Sequence, residues 1–519
     1  MRSDEGQTAQ RLRVVILGGG TAGWMVASGL SRLLPAGEYD LTLVESEEIG
    51  TVGVGEATLP HIKQFNDRLG IDEAEFMRAT GATIKLGIEF VGWNQPDDRY
   101  IHPFGAFGEP WAGVDFQHHW ARARLAGIDA GSLQDYSFAV ALCRAGGFEH
   151  PVTDAGSIRS SYSYAYHFDA GLYAEFLRGW AVARGVKRVE GRIIDVTRDG
   201  ESGHVTRLTL AAGTGIDGDF FIDCSGFRSL LVGGAMQVPW CDWSHWLPCD
   251  RALAVPSGRV EPLTPYTRAT ARKAGWTWRI PLQHRTGNGY VFSSRWCGED
   301  EARDTLLGAL DGPALGEPRL LRFAAGRRSR AWEGNCLAVG LSSGFLEPLE
   351  STSIFLIQAA LFDLVGLMPR AGGGIDPRLA AEFNRLFEIH YDRVRDFLVL
   401  HYRANSRQGQ PLWDHVRTMA LPDSLLHKLS LFQEGAAAPD YKLGLFSRDS
   451  WLSVFEGQGV MPEGYARLAD RLPLPDLQAR LSALRGRIRD GLTAMPAHAD
   501  FIARHCMAPD HAGSRGNAA

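Results

Sequence analysis

The residues best suited to chemistry are Lys85 and Glu350, a lysine and a glutamate in apolar surroundings. Lys85 lies within A-T-I-K-L-G-I-E-F-V-G-W, and the chain holds only six lysines beside 48 arginines. Glu347 and Glu350 stand in F-L-E-P-L-E-S-T. A lysine removed from water has a shifted pKa and can act as an acid or a nucleophile. A carboxylate beside it can stabilise developing positive charge or accept a proton.

Two interpretations of Lys85 are open from the local pattern. If its segment is a strand, the apolar residues from Ile84 to Phe90 share one face and Lys85 points to the other. Lysines are mostly exposed, so one interpretation is a solvated face. The alternative is a lysine that reaches into a cavity, where burial and neighbouring charges tune its pKa. Spacing does not separate the two.

Glu350 also has a structural and a functional interpretation. Pro348 should interrupt regular structure, and Ser351 or Thr352 can cap the helix that follows. Carboxylates near a helix N-terminus are favourable without any catalytic role. Alternatively, the backbone amides of Thr352 and Ser353 bind a small anion. Glu350 then serves beside that anion as a base or a charge partner.

A third feature is the pair of tryptophans in W-T-W-R-I-P, at Trp276 and Trp278. Their alternate positions place them on one face of a strand. By themselves they indicate packing, in a core or in the wall of a cavity.

A nucleotide-binding unit must position these residues. The strand L-R-V-V-I-L runs into G-x-G-x-x-G at Gly18, Gly20 and Gly23, and a helical pattern follows through Thr21 and Ala22. The three glycines allow a tight turn, close approach of the backbone to a pyrophosphate, and close helix packing. Glu45 ends the next strand, 22 residues past Gly23, where an acidic residue suits ribose hydroxyls.

Two later glycine loops favour a long cofactor. The segments D-C-S-G and G-L-S-S-G each follow an apolar strand, far from the first loop. NAD remains possible, but several distant loops favour FAD threaded through the fold. We therefore predict an α/β fold with an FAD-binding Rossmann-type lobe, a β-rich roof and a mainly helical C-terminal substrate lobe.

Length and composition set the remaining limits. A chain of 519 residues with a net charge of −6 is an ordinary globular protein, with no reason to expect nucleic acid as a partner. No apolar run is long enough to span a membrane, and seven scattered cysteines favour reduced thiols in a cytoplasm, without a metal site. The predicted organisation is a disordered N-terminus (1–11), an FAD-binding module (12–375) with β-rich inserts at about 93–166 and 240–330, a helical substrate-covering region (376–507) and a disordered tail (508–519).

Several motifs together resemble the flavin-dependent halogenases of the tryptophan-halogenase type. They are G-G-G-T-A-G-W from Gly18, the lysine strand ending at Trp93, G-W-T-W-R-I-P from Gly275, and E-P-L-E-S-T from Glu347. The resemblance runs from about residue 12 to at least 400, with the motifs in the same order. W-x-W-x-I-P is the most specific of them, because ordinary flavin monooxygenases lack it.

The resemblance implies a defined chemistry. Reduced FAD, supplied by a separate NADH-dependent flavin reductase, reacts with oxygen to a flavin hydroperoxide, and chloride or bromide attacks it to give hypohalous acid. This acid passes through a tunnel to Lys85, which hydrogen-bonds it or forms a haloamine. An electron-rich aromatic carbon then takes the halogen. Glu350 stabilises the ring cation, takes its proton, or orients the oxidant.

The resemblance also implies roles for further residues. Thr352 and Ser353 bind the halide. The flavin contacts are the first glycine loop with Glu45, and in addition Ala57, Val196, Leu341 and Ile354. The tryptophan pair forms the tunnel or flavin wall. The substrate pocket contains His102, Phe104 and Trp451.

Two departures from the resemblance bear on substrate and halide. Ser353 stands where tryptophan halogenases usually carry glycine, which leaves the halide preference open. Tyr441 has no tyrosine beside it, and Phe446 and Trp451 are not adjacent, so the clamp for free tryptophan is absent. We therefore expect another aromatic substrate, such as indole, a substituted indole or a phenol, in a monomer or homodimer. The alternatives are a flavin-dependent aromatic hydroxylase, a halogenase of free tryptophan, and a flavin-binding protein without turnover.

Overall fold

The computed structural model describes residues 11–48, 55–372, 374–441 and 443–509. The predicted disordered ends, 1–11 and 508–519, fall outside these residues except for Arg11, Ala508 and Pro509.

Strands and helices alternate through the first two thirds of the chain, and helices dominate the last third. The strands are β1 (Leu12–Leu17), β2 (Tyr39–Glu45), β3 (Gly55–Ala57), β4 (Thr83–Lys85), β5 (Gly87–Val91), β6 (Arg99–Pro103), β7 (Ala165–Asp169), β8 (Lys187–Glu190), β9 (Ile193–Arg198), β10 (Val205–Leu210), β11 (Gly215–Asp217), β12 (Phe220–Asp223), β13 (Trp240–Asp242), β14 (Arg251–Ser257), β15 (Thr267–Arg272), β16 (Gly275–Pro281), β17 (Thr286–Phe292), β18 (Arg319–Arg322), β19 (Gly326–Arg328), β20 (Trp332–Glu333), β21 (Cys336–Ala338) and β22 (Gly344–Phe345). The helices are α1 (Thr21–Leu33), α2 (His61–Leu69), α3 (Glu73–Thr80), α4 (Phe116–Leu125), α5 (Phe138–Ala145), α6 (Ala170–Val182), α7 (Glu299–Leu307), α8 (Thr352–Leu367), α9 (Pro377–Arg403), α10 (Pro411–Thr418), α11 (Asp423–Gly435), α12 (Arg448–Gly457), α13 (Leu474–Leu492) and α14 (His498–His505).

A six-stranded sheet forms the nucleotide-binding lobe. Its order is β20-β21-β12-β1-β2-β8, and its strands are parallel except for the β20–β21 pair. Residues Val14–Leu17 of β1 are almost completely buried, because helices and further strands cover both faces of the sheet. The chain turns at Gly18 into α1, which packs against α6 and α8. This is the predicted β-α-β unit, and the predicted α/β fold class is confirmed.

A second sheet faces this lobe as the roof. It has seven strands in the order β18-β14-β17-β16-β15-β5-β6, joined antiparallel except where β15 and β5 run parallel. Strand β16 carries W-T-W-R-I-P near the centre of this sheet. The remaining strands form three small sheets: β3-β7-β4, β11-β10-β9 and β13-β19-β22.

The lysine segment is divided between two sheets instead of forming one strand. Strand β4 pairs with β7, and β5 pairs with β6 and β15. Between them, Leu86 bonds to other backbone groups, donating its N–H to Pro265 and accepting from Phe104. Both faces of the segment are covered, so the expected alternation of an exposed and a buried face does not occur.

The segment 93–166 differs from the predicted β-rich insert. Its regular structure consists mainly of α4 and α5, with β6 as its one complete strand, whereas 240–330 is β-rich as expected. Helices from the end of the chain pack on this segment, since α13 contacts α4 and α5 and α12 contacts β6. None of the helices in the described part of the chain is long and apolar enough to span a membrane.

Candidate active site

A cavity of about 880 Å³ separates the nucleotide-binding lobe from the roof. Its size lies at the upper end of the range for ligand pockets, roughly 300–1,000 Å³. Its wall includes the glycine loop of the nucleotide-binding lobe and the tryptophans of the roof. The predicted site residues in its wall are Gly18, Gly20, Thr21, Ala22, Glu45, Ala57, Trp276, Trp278, Leu341, Ser353 and Ile354.

The glycine loop has the shape that a pyrophosphate requires. Gly18 has φ +105°, and a Cβ there would lie 2.3 Å from the carbonyl oxygen of Cys224. A Cβ on Gly23 would lie 1.8 Å from the carbonyl oxygen of Gly18, so this glycine serves the close packing of α1. Gly20, by contrast, has no other atom within 4 Å of its Cβ position and faces open space. The loop therefore fits a dinucleotide phosphate at the N-terminus of α1.

Glu45 lies in the cavity wall but is engaged by protein groups. It accepts a hydrogen bond from Trp24 Nε1 at 3.2 Å, and its other oxygen contacts Arg188 and lies 3.8 Å from Arg178. Its carboxylate also occupies the space beside Gly19. A ribose that binds here must share the carboxylate with these partners.

One predicted flavin contact lies away from the cavity. Val196 packs in the hydrophobic cluster under the β9–β11 sheet, and Ile193, three residues earlier, lines the cavity instead. The expected contact of Val196 with FAD stays a prediction. The loop after β12 contributes wall residues from Cys224 to Arg228, in the D-C-S-G segment that favoured a long cofactor.

The N-terminus of α8 offers a site for a small anion. Ser353 lines the cavity, and Thr352 is completely buried with no hydrogen-bond partner for its hydroxyl. The free amides and the positive end of a 16-residue helix favour an anion there. An unpartnered buried hydroxyl at the same point is consistent with a missing ligand, so these residues fit the predicted halide site.

Ser351 connects this anion site to the lysine. It occupies the N-cap position of α8 with φ 59°, a left-handed conformation that is uncommon outside glycine. Its hydroxyl makes no capping bond, contrary to the expected role, and instead accepts a hydrogen bond from Lys85 Nζ at 2.8 Å. Ser351 also lines the cavity, so it separates the flavin side from the lysine. Strained backbone of this kind clusters at functional sites.

Lys85 is completely buried, which settles the two interpretations of its segment. Its Nζ donates to the carbonyl oxygen of Thr58 at 2.9 Å and to Ser351, and lies 5.1 Å from the centre of the Phe104 ring. Burial lowers its pKa from 10.5 to about 7, although the charge of Glu350 acts in the opposite direction. Lys85 therefore exchanges between ammonium and amine near neutral pH.

Glu350 is held between two histidines. His102 Nδ1 lies 2.8 Å from one carboxylate oxygen, and His401 Nε2 lies 2.9 Å from the other. Burial alone would raise the pKa of Glu350, but the two histidines outweigh it and bring the pKa to about 2. Glu350 is therefore a carboxylate in a dry environment.

Aromatic residues close the far side of this pair. The Phe397 ring stacks on Phe446 at 3.8 Å and meets Trp451 edge-on at 4.9 Å. His102 lies 5.6 Å from Phe397. Of the predicted pocket residues, His102 contacts Glu350, Phe104 lies beside Lys85, and Trp451 is linked to His102 through Phe397. Their role in binding a substrate stays a prediction.

Three residues of the site had no functional role in the sequence analysis. Ser351 was considered only as a cap, and His401 lies on α9 without a local motif. Glu347, considered only beside the helix dipole, accepts hydrogen bonds from Tyr402 at 2.9 Å and Trp276 Nε1 at 3.4 Å, and burial raises its pKa to about 7. The E-P-L-E-S-T motif could have indicated Ser351 and Glu347, but no sequence signal pointed to His401.

Comparisons with known proteins identify the family of the chain. The family described as tryptophan halogenase matches residues 13–474. A tryptophan 6-halogenase, SttH of Streptomyces toxytricini, is 36% identical over 528 residues, which covers 95% of this chain and 98% of that protein. Among solved structures, the flavin-dependent halogenase Xcc4156 from Xanthomonas campestris superposes with a TM-score of 0.92 at 46% identity, covering 96% of this chain and 99% of that one. The flavin-dependent halogenase BrvH from Brevundimonas sp. BAL3 has a TM-score of 0.91 at 42% identity, with the same coverage of both chains.

Proposed function

Because the chain belongs to the tryptophan halogenase family, we propose that it halogenates an electron-rich aromatic ring, using reduced FAD, oxygen, and chloride or bromide. One observation supports the detailed site most directly. Lys85 is buried behind Ser351, and Ser351 lines the flavin cavity. A small oxidant made in the cavity therefore meets Ser351 directly before Lys85.

The bound reduced flavin supplies the oxidising chemistry, which converts oxygen and halide to hypohalous acid. The residues of this chain then carry out the rest. Gly18, Gly20 and the α1 N-terminus hold the pyrophosphate, and the amides of Thr352 and Ser353 hold the halide. The buried surroundings exclude water, which protects the oxidant from side reactions.

Lys85 receives the oxidant, and Glu350 acts on the ring. With a pKa of about 7, Lys85 has both the amine that can take halogen and the ammonium that can hydrogen-bond hypohalous acid. Glu350 is a buried carboxylate whose partner His102 packs against Phe397, so it stabilises the ring cation and accepts its proton. Trp276 and Trp278 form the flavin wall, and Glu347 fixes the indole of Trp276.

We infer that free tryptophan is not the preferred substrate. Tyr441 stands under Arg393 and Lys428, at 5.4 Å and 5.1 Å from its ring centre, rather than beside a second tyrosine. Phe446 and Trp451 both contact Phe397 from separate positions. The aromatic side chains around Phe397 suit indole, a substituted indole or a phenol, which need no amino-acid clamp, and bromide is a suitable halide. We further propose a separate NADH-dependent flavin reductase as partner, a monomer or homodimer, and a cytoplasmic location.

The test is one assay with four substrate arms. Purified protein, FAD, a flavin reductase, NADH and oxygen are supplied with indole or free tryptophan, and with bromide or chloride. We expect isotope doublets of a halogenated product in the mass spectrum, strongest with indole. A hydroxylated product without halogen contradicts the proposal, and a preference for free tryptophan contradicts the substrate inference.

A lysine variant places Lys85 in the sequence of steps. Lys85→Met is expected to lose the halogenated indole while it still reoxidises flavin and releases hypohalous acid, which a soluble scavenger detects. Lys63→Met is the matched control, because the side chain of Lys63 on α2 is 38% exposed and pairs with Asp67 at the surface. Normal halogenation by Lys85→Met contradicts the role proposed for Lys85.

A further inference from the structure

His401 holds a position that the halogenation chemistry has not yet accounted for. It projects from α9 and is completely buried, and its Nε2 lies 2.9 Å from a carboxylate oxygen of Glu350. Its other ring nitrogen, Nδ1, lies 2.7 Å from the carbonyl oxygen of Phe397. A carbonyl oxygen only accepts hydrogen bonds, so Nδ1 must carry a proton.

These contacts determine how many protons His401 and Glu350 share. With Nδ1 protonated, a neutral His401 would have an unprotonated Nε2, and this atom lies 2.9 Å from the carboxylate oxygen. Neither Nε2 nor that carboxylate oxygen makes a hydrogen bond to any of the described residues. Two buried acceptors 2.9 Å apart, both without a donor, repel each other and are costly. A proton on Nε2 makes the imidazole positive and turns this repulsion into attraction between opposite charges.

The surroundings place that proton on the histidine. The rings of Phe90, Trp93 and Phe397 enclose the imidazole, with centres 4.9, 6.0 and 5.0 Å from its own. The faces of aromatic rings attract positive charge, so these rings stabilise a protonated, cationic imidazole. They give no stabilisation to an anion. Glu350 itself remains ionised, as its low pKa indicates.

Lys85, in contrast, has no anionic partner among the described residues, and a neutral amine can make both of its hydrogen bonds. Its two close partners, Thr58 and Ser351, match the two N–H groups of an amine, and neither partner carries a charge. No ion pair with Glu350 within 4 Å is present among the described side chains.

We propose that His401 is the positively charged partner of Glu350, a positioning residue that leaves Lys85 free to work as an uncharged amine. The inference rests on the roles proposed for Lys85 and Glu350. It identifies the form of the lysine that meets the oxidant: the amine nitrogen, whose lone pair is available to the halogen.

The test measures the charge of Lys85 without turnover. The FAD-loaded protein is labelled with lysine carrying ¹³C at the ε position, and six lysines give at most six signals. The signal that is missing from the spectrum of Lys85→Met belongs to Lys85. The ¹³C chemical shift of this signal is then measured as a function of pH, and its midpoint gives the pKa of Lys85. The titratable groups that face the cluster are His102 and Tyr100 from β6, His167 from β7 and Glu350.

Two isosteric variants separate the functions of the histidine. His401→Asn keeps an N–H group near the position of Nδ1 and removes the contact with Glu350. His401→Gln places a neutral N–H group near the position of Nε2, and it serves if the asparagine variant does not fold. In either variant Glu350 loses its cation, so the midpoint of Lys85 is expected to rise by about one pKa unit or more.

A double-mutant comparison distinguishes electrostatics from damage to the fold. In a Glu350→Gln background, His401→Asn should leave the Lys85 midpoint unchanged, because no carboxylate remains to be balanced. His119→Asn should also leave the Lys85 titration midpoint unchanged. His119 is a buried histidine on α4 that is bonded to the carbonyl oxygen of Trp111. An unchanged midpoint in His401→Asn, or a shift that persists without Glu350, would overturn the proposal. The halogenation assay is separate, so its failure leaves this result interpretable.

Discussion

Replacement of Lys85 by methionine should make the protein more stable at neutral pH while it removes the halogenation activity. The ammonium group is buried at a cost, which is why its pKa falls from 10.5 to about 7. Methionine has a similar length and no charge. It forfeits the hydrogen bonds to Thr58 and Ser351, but that loss does not depend on pH.

The pH-dependent part of the change follows from proton linkage. Between pH 7 and 10.5 the unfolded chain binds a proton at Lys85 that the folded chain has largely released, so wild-type stability rises with pH in this window. The cost of the buried lysine is about 4 kcal/mol at pH 7 and about 1.4 kcal/mol at pH 9.5, at ~1.36 kcal/mol per pKa unit. The free energy of unfolding of Lys85→Met, relative to wild type, should therefore fall by about 3 kcal/mol between pH 7 and pH 9.5.

Thermal unfolding at both pH values measures this change. With an unfolding entropy of about 2.1 cal/mol/K per residue, 3 kcal/mol corresponds to a Tm difference of about 3 °C for a chain of 519 residues. Wild type and variant are compared in the same flavin-bound state. Lys63→Met is the control, since an exposed lysine should give a gap that does not change with pH. A gap for Lys85→Met that is the same at pH 7 and 9.5 would refute the reasoning.

Three further outcomes are expected. Glu350→Gln should slow single-turnover halogenation by about 10²-fold with flavin reoxidation intact, the usual contribution of a general base; a loss below threefold contradicts its role. Gly23→Ala should abolish FAD binding in a fluorescence titration, because the new Cβ would lie 1.8 Å from the Gly18 carbonyl oxygen, whereas Gly179→Ala, in open space on α6, should bind normally. Thr352→Val should raise the halide concentration for half-maximal rate about tenfold, the value of one hydrogen bond to an anion, and equal values for variant and wild type would remove the hydroxyl from the halide site.

Much of the fold was predictable from local patterns. The strand, the glycine turn and the helix around Gly18 follow from residue types alone, because each glycine is needed for backbone geometry. The helices of the last third were visible in their 3.6-residue periodicity. The helices of the segment 93–166 were not predictable in this way, because its aromatic residues are compatible with a strand or a helix. Packing against α12 and α13 decided which of the two forms.

The sequence by itself determined the cofactor-binding turn, the α/β class, and the motifs that place Lys85 and Glu350 in a halogenase. Only the tertiary structure decided how these two residues are charged. Lys85 is buried because two sheets part at Leu86 and cover it, and Glu350 meets His401 because α9 crosses the site. Burial and charge pairing depend on groups that are distant along the chain, and local spacing holds no record of which distant group arrives. For the same reason Ser351 was expected to cap a helix, while the folded chain uses its hydroxyl to hold the lysine.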